Sequence, residues 1–541
     1  MGLDIIIKNG RLIDGSGNPW RYADIGISGD RIACVAAPGA LDANTQHESS
    51  TQIDATAMVV APGFVDVHNH ADFSCLDDPL SPYFVFQGVT TLIAGNCGHS
   101  VTGAGADQVR DYWYRQGLIS KRQACDTRSW DTLAGYRRLV QGSGGLAFWS
   151  GILLGHGTIR MAVVGPQNRP ASPDEMAKMK ELVRQGMEDG AVGLSTGLDY
   201  QPGRFAPTAE IVELAKVVAE YGGVYATHTR GTPDRKDMIS AIEEAIHIGE
   251  MAGARVQISH VSKKALKGRE LRLIEEARSR GVDVACDATP YSTFFALSQA
   301  HLLLSARAGS AELFMKDTDE VKRLLGDKAR RRAIVDNDHV FRFMQPRSSM
   351  LIHCKDKSLE GKTLAEIAES RGTGPVDCLF DLILDEDNPF TLCPKFEHAG
   401  DIAAIPAVQI THPAVLMGSD AGPVDPEDPL GWFSPQGSGS TLRYLVLGER
   451  YNVPLEERVR KLTNLACQRF GLFDRGLVEP GKVADLLVFD PNALTEVVDW
   501  DDPYAAPVGM RHVLVGGIPV VSDGKQTGRT PGGVLDARKT S

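Results

Sequence analysis

The sequence has no excess of positive charge. Its 57 Lys and Arg are outnumbered by 69 Asp and Glu, for a formal charge of −12 at pH 7. A nucleic-acid partner, which needs clustered basic side chains against phosphates, is therefore not expected. No two of the nine cysteines, at 34, 75, 97, 125, 286, 354, 378, 393 and 467, have CxxC spacing. The amino-terminal segment offers only Ile5-Ile6-Ile7 before Lys8 and a turn, far short of a secretion signal or a spanning helix. These absences predict a soluble cytoplasmic protein with no membrane partner, whose cysteines are mostly reduced and inert. Internal repeats and low-complexity tracts are also missing.

What is present is an ordinary globular composition, 43% hydrophobic and 23% charged, enough to bury a large core. The 541 residues could divide into about three domains of roughly 100–200 residues, but an α/β barrel with insertions can absorb most of them. The two ends read as short strands. Asn9-Gly10 predicts a hairpin turn, Gly29-Asp30 a second, and Gly516-Gly517 a third between His512-Val513-Leu514-Val515 and Ile518-Pro519-Val520-Val521. Neither end has enough strands for a stable sheet of its own. Residues 1–61 and 476–541 are thus expected to join as one small β-sandwich domain, leaving 62–475 for the barrel.

Between the ends, strands alternate with helices, the pattern of a parallel sheet. The clearest unit runs from Pro207-Thr208 through a helix to Gly222-Gly223, then into Val224-Tyr225-Ala226-Thr227-His228. A second helix, from Met238 to Gly253, leads to Val256-Gln257-Ile258-Ser259-His260. The two histidines are 32 residues apart, about one βα repeat, so they end adjacent strands. A charge-rich excursion near 305–350, with the run Lys328 to Ala333, reads as solvated helix. The predicted fold class is α/β, a TIM-like (β/α)8 barrel plus the terminal β domain.

The carboxyl ends of parallel barrel strands open on one face, where active sites lie. Val65-Asp66-Val67-His68-Asn69-His70 ends one strand in His-x-His, and a period of two puts both imidazoles on one face with Asn69 turned away. Other strands run into Cys97, His228, His260 and Asp420. Alternation puts His228 in phase with Val224 and Ala226, and His260 in phase with Val256 and Ile258, taken as the interior face. Thiolate and imidazole together suit zinc. Asp420 reads as a metal ligand, a turn residue, or the acceptor of a water proton, the last favoured because no other strand-end carboxylate looks as well placed. Gly193-Leu194-Ser195-Thr196-Gly197 matches the G-x-S-x-G nucleophile elbow, but a polar loop follows where that elbow needs a helix, so a serine nucleophile is not expected.

These residues resemble the amidohydrolase superfamily, in its branch of D-aminoacylases, or N-acyl-D-amino-acid deacylases. The likeness spans Gly63 to His70, Gly88-Val89-Thr90-Thr91, Gly95-Asn96-Cys97-Gly98, Gly155-His156-Gly157, Gly193 to Tyr200, Thr227 to Arg230, Ile258-Ser259-His260, Gly418-Ser419-Asp420 and Pro480 to Leu486. Most other binuclear members bridge their metals with a carboxylated lysine, and no lysine occurs here between 122 and 177. The resemblance implies that Cys97 takes the bridging place. It also implies a tight zinc site at Cys97, His228 and His260, a second, weaker one at His68 and His70, Asp420 as the acid/base, and Tyr200 and Tyr291 near the substrate. The branch usually has a lysine two residues beyond the His260 position, whereas here Val261-Ser262-Lys263-Lys264 follows. A long loop, Pro426 to Ser440, replaces another expected stretch.

The expected reaction is hydrolysis of an N-acyl-D-amino acid to a carboxylate and a free D-amino acid. Arg230, Lys263 and Arg443 are candidates, by charge and position, to hold the substrate carboxylate. Rival readings are a hydrolase of a cyclic amide, a D-dipeptide or a xenobiotic amide, and a scaffold that has lost chemistry. A deaminase is disfavoured because its metal site would not use Cys97. The sequence leaves the oligomeric state open, a homo-oligomer included.

Overall fold

In the computed structural model, eight strands lie parallel in one sheet, in the order in which the chain makes them: Phe64–Asp66, Val89–Ala94, Trp149–Gly155, Gly193–Gly197, Val224–His228, Arg255–Ile258, Val284–Ala288 and Val415–Met417. The structure describes residues 2–41, 51–115, 118–230, 238–261, 268–290, 297–298, 316, 318–337, 349–385, 390–394, 407–422, 435–495 and 508–540. The second, fourth and seventh strands are buried along their whole length, as expected when both faces of a parallel sheet are covered. The first and eighth strands approach just past their ends. Val67 N donates to Met417 O at 3.4 Å, Asp420 N to His68 O at 2.8 Å and His70 N to Ala421 O at 2.9 Å, which nearly closes the barrel.

Both chain ends contribute to a second, nine-stranded sheet. They meet where Val59–Pro62 pairs antiparallel with Leu486–Phe489, so that Ile5, Ile25, Val60, Leu486 and Val488 share one core. The turns at Gly29-Asp30 and Gly516-Gly517 join antiparallel strands as expected. Asn9-Gly10 does not. Ile5–Leu12 is one strand with a bulge between Ile7 and Gly10, and Asn9 has φ 61°. The bulge lets one strand serve two parallel neighbours in turn, Thr51–Asp54 before it and Val59–Val60 after it.

Between the seventh and eighth barrel strands the chain builds an inserted unit. It has a small sheet of Leu297–Ser298, Phe390–Pro394 and Ser349–Cys354, and the helices Thr318–Leu325, Lys328–Asn337, Leu364–Ser370 and Pro375–Leu384. Leu325, Leu351, Leu379 and Leu382 give it a core of its own. The basic run is therefore not wholly solvated. Lys328 and Arg332 are exposed, but Arg331 is buried against Phe380 and paired with Asp381 at 2.8 Å. No helix among the described residues is long and apolar enough to cross a membrane, and the eight cysteines whose side chains are described are free.

Candidate metal centre and active site

Each proposed ligand lies at or just past the carboxyl end of a barrel strand, where backbone contacts fix its direction. Past Asp66, His68 and His70 both turn toward Asp420 Oδ1, at 3.4 and 3.6 Å from their Nε2 atoms, while Asn69 faces away toward Ile93 O. Asp66 is buried and accepts from His68 N at 3.1 Å, Ser419 N at 2.9 Å and Ser419 Oγ at 2.6 Å. It thereby ties the turn that presents Asp420 to the strand that presents the histidines. Gly418 is needed in that turn because a Cβ there would lie 2.4 Å from His68 Cβ.

The Gly95–Gly98 loop is clamped from two sides. Asp72 accepts from Gly95 N at 3.3 Å and Val101 N at 3.0 Å. Ser195 accepts from Gly98 N at 3.0 Å and donates to Gly95 O at 2.5 Å. The serine of the G-x-S-x-G sequence is thus a buried loop clamp. Gly98, at φ 75°, leaves no room for a side chain, since a Cβ would meet Gly197 N at 2.5 Å.

Cys97, His260 and Asp420 all have positive φ, at 55°, 37° and 52°, a conformation that costs about 1–3 kcal/mol for such residues and clusters at functional sites. For His260 this corrects the phase argument. Val256 and Ile258 pack outward against the helix residues Ile246 and Ile274, whereas Val224 and Ala226 line the interior with Val65, Ile93 and Leu416. His228 points inward by simple alternation. His260 arrives there by a left-handed turn beyond its strand.

Cys97 Sγ lies 3.2 Å from His68 Nε2 and 3.6 Å from His260 Nε2, and His260 Nε2 lies 3.0 Å from His228 Nδ1. Burial opposes a Cys97 thiolate, but the charge of His68 and hydrogen bonds with His228, His260 and His68 outweigh it and hold the thiol well below its ordinary pKa. The imidazoles respond in kind. Against the opposing effect of burial, Asp420 and Cys97 raise His70 to about 9, and Asp199 and Cys97 raise His228 to about 9. Asp420 stays below the usual carboxylate range because His70, His68 and His260 offset its burial.

The amidohydrolase family profile matches residues 51–521. The chain belongs to the amidohydrolase family. Within it, this amidohydrolase is 32% identical to a D-aminoacylase of Alcaligenes xylosoxydans xylosoxydans, over 98% of this chain and 97% of that one. It is 30% identical to an N-acyl-D-glutamate deacylase of the same organism, over 98% and 96%. Among solved structures, it resembles an N-acyl-D-glutamate deacylase from Bordetella bronchiseptica, complexed with zinc and a phosphonate mimic of the tetrahedral intermediate. That likeness has a TM-score of 0.75 at 28% identity and covers 99% of this chain and 100% of the other. A D-aminoacylase with a binuclear metal centre superposes with a TM-score of 0.74 at 29% identity, over 98% and 99% of the two chains. The amidohydrolase accordingly falls in the D-aminoacylase branch.

The donor set of this amidohydrolase fits a borderline-soft divalent cation. Donor atoms of His68, His70, Cys97 and Asp420 lie within 4.8 Å of one another, as do those of Cys97, His228 and His260, and the thiol is common to both groups. Of the substrate-binding candidates, Tyr200 lies beside the centre, its hydroxyl donating to Cys97 O at 2.5 Å and its ring stacked on His99 at 5.0 Å. Arg230 is engaged elsewhere, with Glu244 at 3.0 Å and the carbonyls of Arg204 and Ala206. Arg443 is buried and donates to Pro290 O at 2.7 Å, bracing the segment that leads to position 291. Tyr291 and Lys263 lie outside the described residues.

Sequence reasoning passed over two carboxylates. Asp199 Oδ2 is 3.7 Å from His228 Nε2, and Asp287 Oδ1 is 3.2 Å from His68 Nδ1. Asp287 left a signal in the sequence, an acidic residue within the apolar strand Val284-Ala285-Cys286.

Proposed function

We propose that this amidohydrolase is a zinc-dependent N-acyl-D-amino-acid deacylase, with Asp420 as its acid/base. The observation that carries this reading is the position of Cys97 between two groups of histidines, with Asp420 against one of them. Cys97, His228 and His260 would hold the tighter zinc, and His68 and His70 a second, weaker one. When bound, the metal acts as a Lewis acid toward the amide carbonyl and makes a nucleophile available from water near neutral pH. A reducing cytoplasm suits a centre built on a free thiolate.

Asp420 does the proton work. Its depressed pKa keeps it ionised at neutral pH, so it begins as the base that accepts a proton from the attacking water. It then returns that proton to the departing nitrogen as the C–N bond breaks, and one water is consumed for one carboxylate and one free amine. Tyr200 and Tyr291 would orient the substrate at the mouth, and Lys263 would meet its carboxylate. Arg230 and Arg443 would shape the mouth through their contacts with neighbouring segments.

The test is metal analysis of the purified protein, followed by a panel of N-acyl-D- and N-acyl-L-amino acids beside cyclic amides and D-dipeptides. Stoichiometric zinc and turnover confined to the N-acyl-D series are expected. Preference for a cyclic amide or a dipeptide would reassign the substrate, and absence of bound zinc would overturn the reading.

A further inference from the structure

Asp287, at the end of the seventh barrel strand, is only 1% exposed, and one of its oxygens serves two proposed ligands. Oδ1 accepts from His260 N at 2.7 Å and lies 3.2 Å from His68 Nδ1. Buried Nδ1 of His68 has no other polar partner among the described residues, and the Asp287 carboxylate is the charged group beside it. The other oxygen, Oδ2, accepts from Gln257 Nε2 at 3.0 Å, and Gln257 Oε1 in turn accepts from Arg469 Nε at 3.2 Å. A buried carboxylate is therefore held by a chain of donors and aimed at both halves of the centre.

The two contacts do different things. A negative charge beside His68 Nδ1 favours the tautomer with its proton there, which leaves the Nε2 lone pair facing Cys97 and Asp420. The bond to His260 N holds the residue whose left-handed backbone, at φ 37°, swings its ring inward. His68 belongs to one donor group and His260 to the other.

We infer that Asp287 is a positioning residue that orients one ligand in each half of the metal centre, His68 through its ring and His260 through its backbone, and so sets metal affinity. This rests on the metal reading above, and the experiment separates the two. Metal-stripped protein is titrated with Co²⁺ against a competing chelator, and the thiolate-to-cobalt absorption reports Cys97 in contact with the ion. Asp287→Asn keeps an oxygen for His260 N but removes the charge beside His68, so cobalt affinity should fall about 10- to 100-fold with the protein still folded. Asp287→Ala removes both contacts and should weaken binding further while shifting the absorption band. If both variants bind cobalt as tightly as wild type with an unchanged band, Asp287 has no such role. Failure of the wild-type protein itself to bind cobalt would instead overturn the metal reading. If neither variant folds, Gln257→Leu, which leaves the charge in place but removes the donor that holds Oδ2, should weaken binding several-fold, and unchanged affinity there overturns the inference.

Discussion

The Ser195 hydroxyl donates to the Gly95 carbonyl at 2.5 Å, locking the loop that presents Cys97 to the fourth barrel strand, two places along the sheet. A clamp and a nucleophile predict different consequences of removing that hydroxyl. Ser195→Ala leaves Gly95 O and Gly98 N without this partner in a buried place, at a cost of roughly 1–3 kcal/mol. We expect a lower denaturation midpoint, metal lost more readily to a chelator, and residual turnover in metal-replete protein. Complete loss of turnover with full metal content and unchanged stability would show that the hydroxyl takes part in the chemistry.

Asp420 sits within 3.6 Å of two imidazoles that the metal reading makes ligands, so its role as proton carrier must be separated from a role in binding metal. Asp420→Asn keeps the shape of the side chain and removes its basicity. General acid–base catalysis is worth about 10²–10⁴-fold. We expect kcat to fall by at least that lower figure in protein that retains its zinc, as measured by metal analysis beside steady-state kinetics. Near-wild-type kcat would exclude Asp420 as the proton carrier.

Cys97 is common to both donor groups, which makes it the most sensitive point in the centre. Cys97→Ala removes the thiolate from both donor groups together. Metal analysis of the folded variant should show zinc far below the wild-type content. Full occupancy would mean that the histidines bind without it.

Much of this site was legible because strand ends are legible. Apolar runs that stop at His68, Cys97, His228 and Asp420 mark the open face of a parallel barrel without any need for long-range contacts. The inward turn of His260 was not legible, because it depends on a left-handed backbone that alternation along a strand cannot express. Asp287 and Asp199 were missed for another reason: their significance lies in which histidine each faces, and residues distant in sequence fix that. Asn9-Gly10 failed similarly. The pair does supply a positive φ, but two successive parallel neighbours turn it into a bulge rather than a hairpin. Ser195 shows that a local motif can match in sequence while its surroundings give the hydroxyl a different task.

Glu210, on the helix after the fourth barrel strand, is tied to the helix after the third through a buried ionic cluster. It meets His156 Nε2 at 3.0 Å and receives two 2.6 Å contacts from Arg160 Nη1. Burial disfavours the Glu210 carboxylate, but His156 and Arg160 more than compensate and lower its pKa to about 2 from 4.5. Because the folded-state value is depressed, the stabilisation is fully present above about pH 4.5 and is lost as pH falls toward 2. A shift of that size corresponds to about 3 kcal/mol. Glu210→Gln leaves Arg160 buried without its counter-ion, which costs roughly 3–5 kcal/mol at neutral pH. Denaturant unfolding should therefore show the variant less stable by that margin at pH 7, with the gap narrowing between pH 4.5 and 2 as the wild-type carboxylate takes up its proton. A gap that stayed constant over that range would mean that the variant loses packing rather than charge.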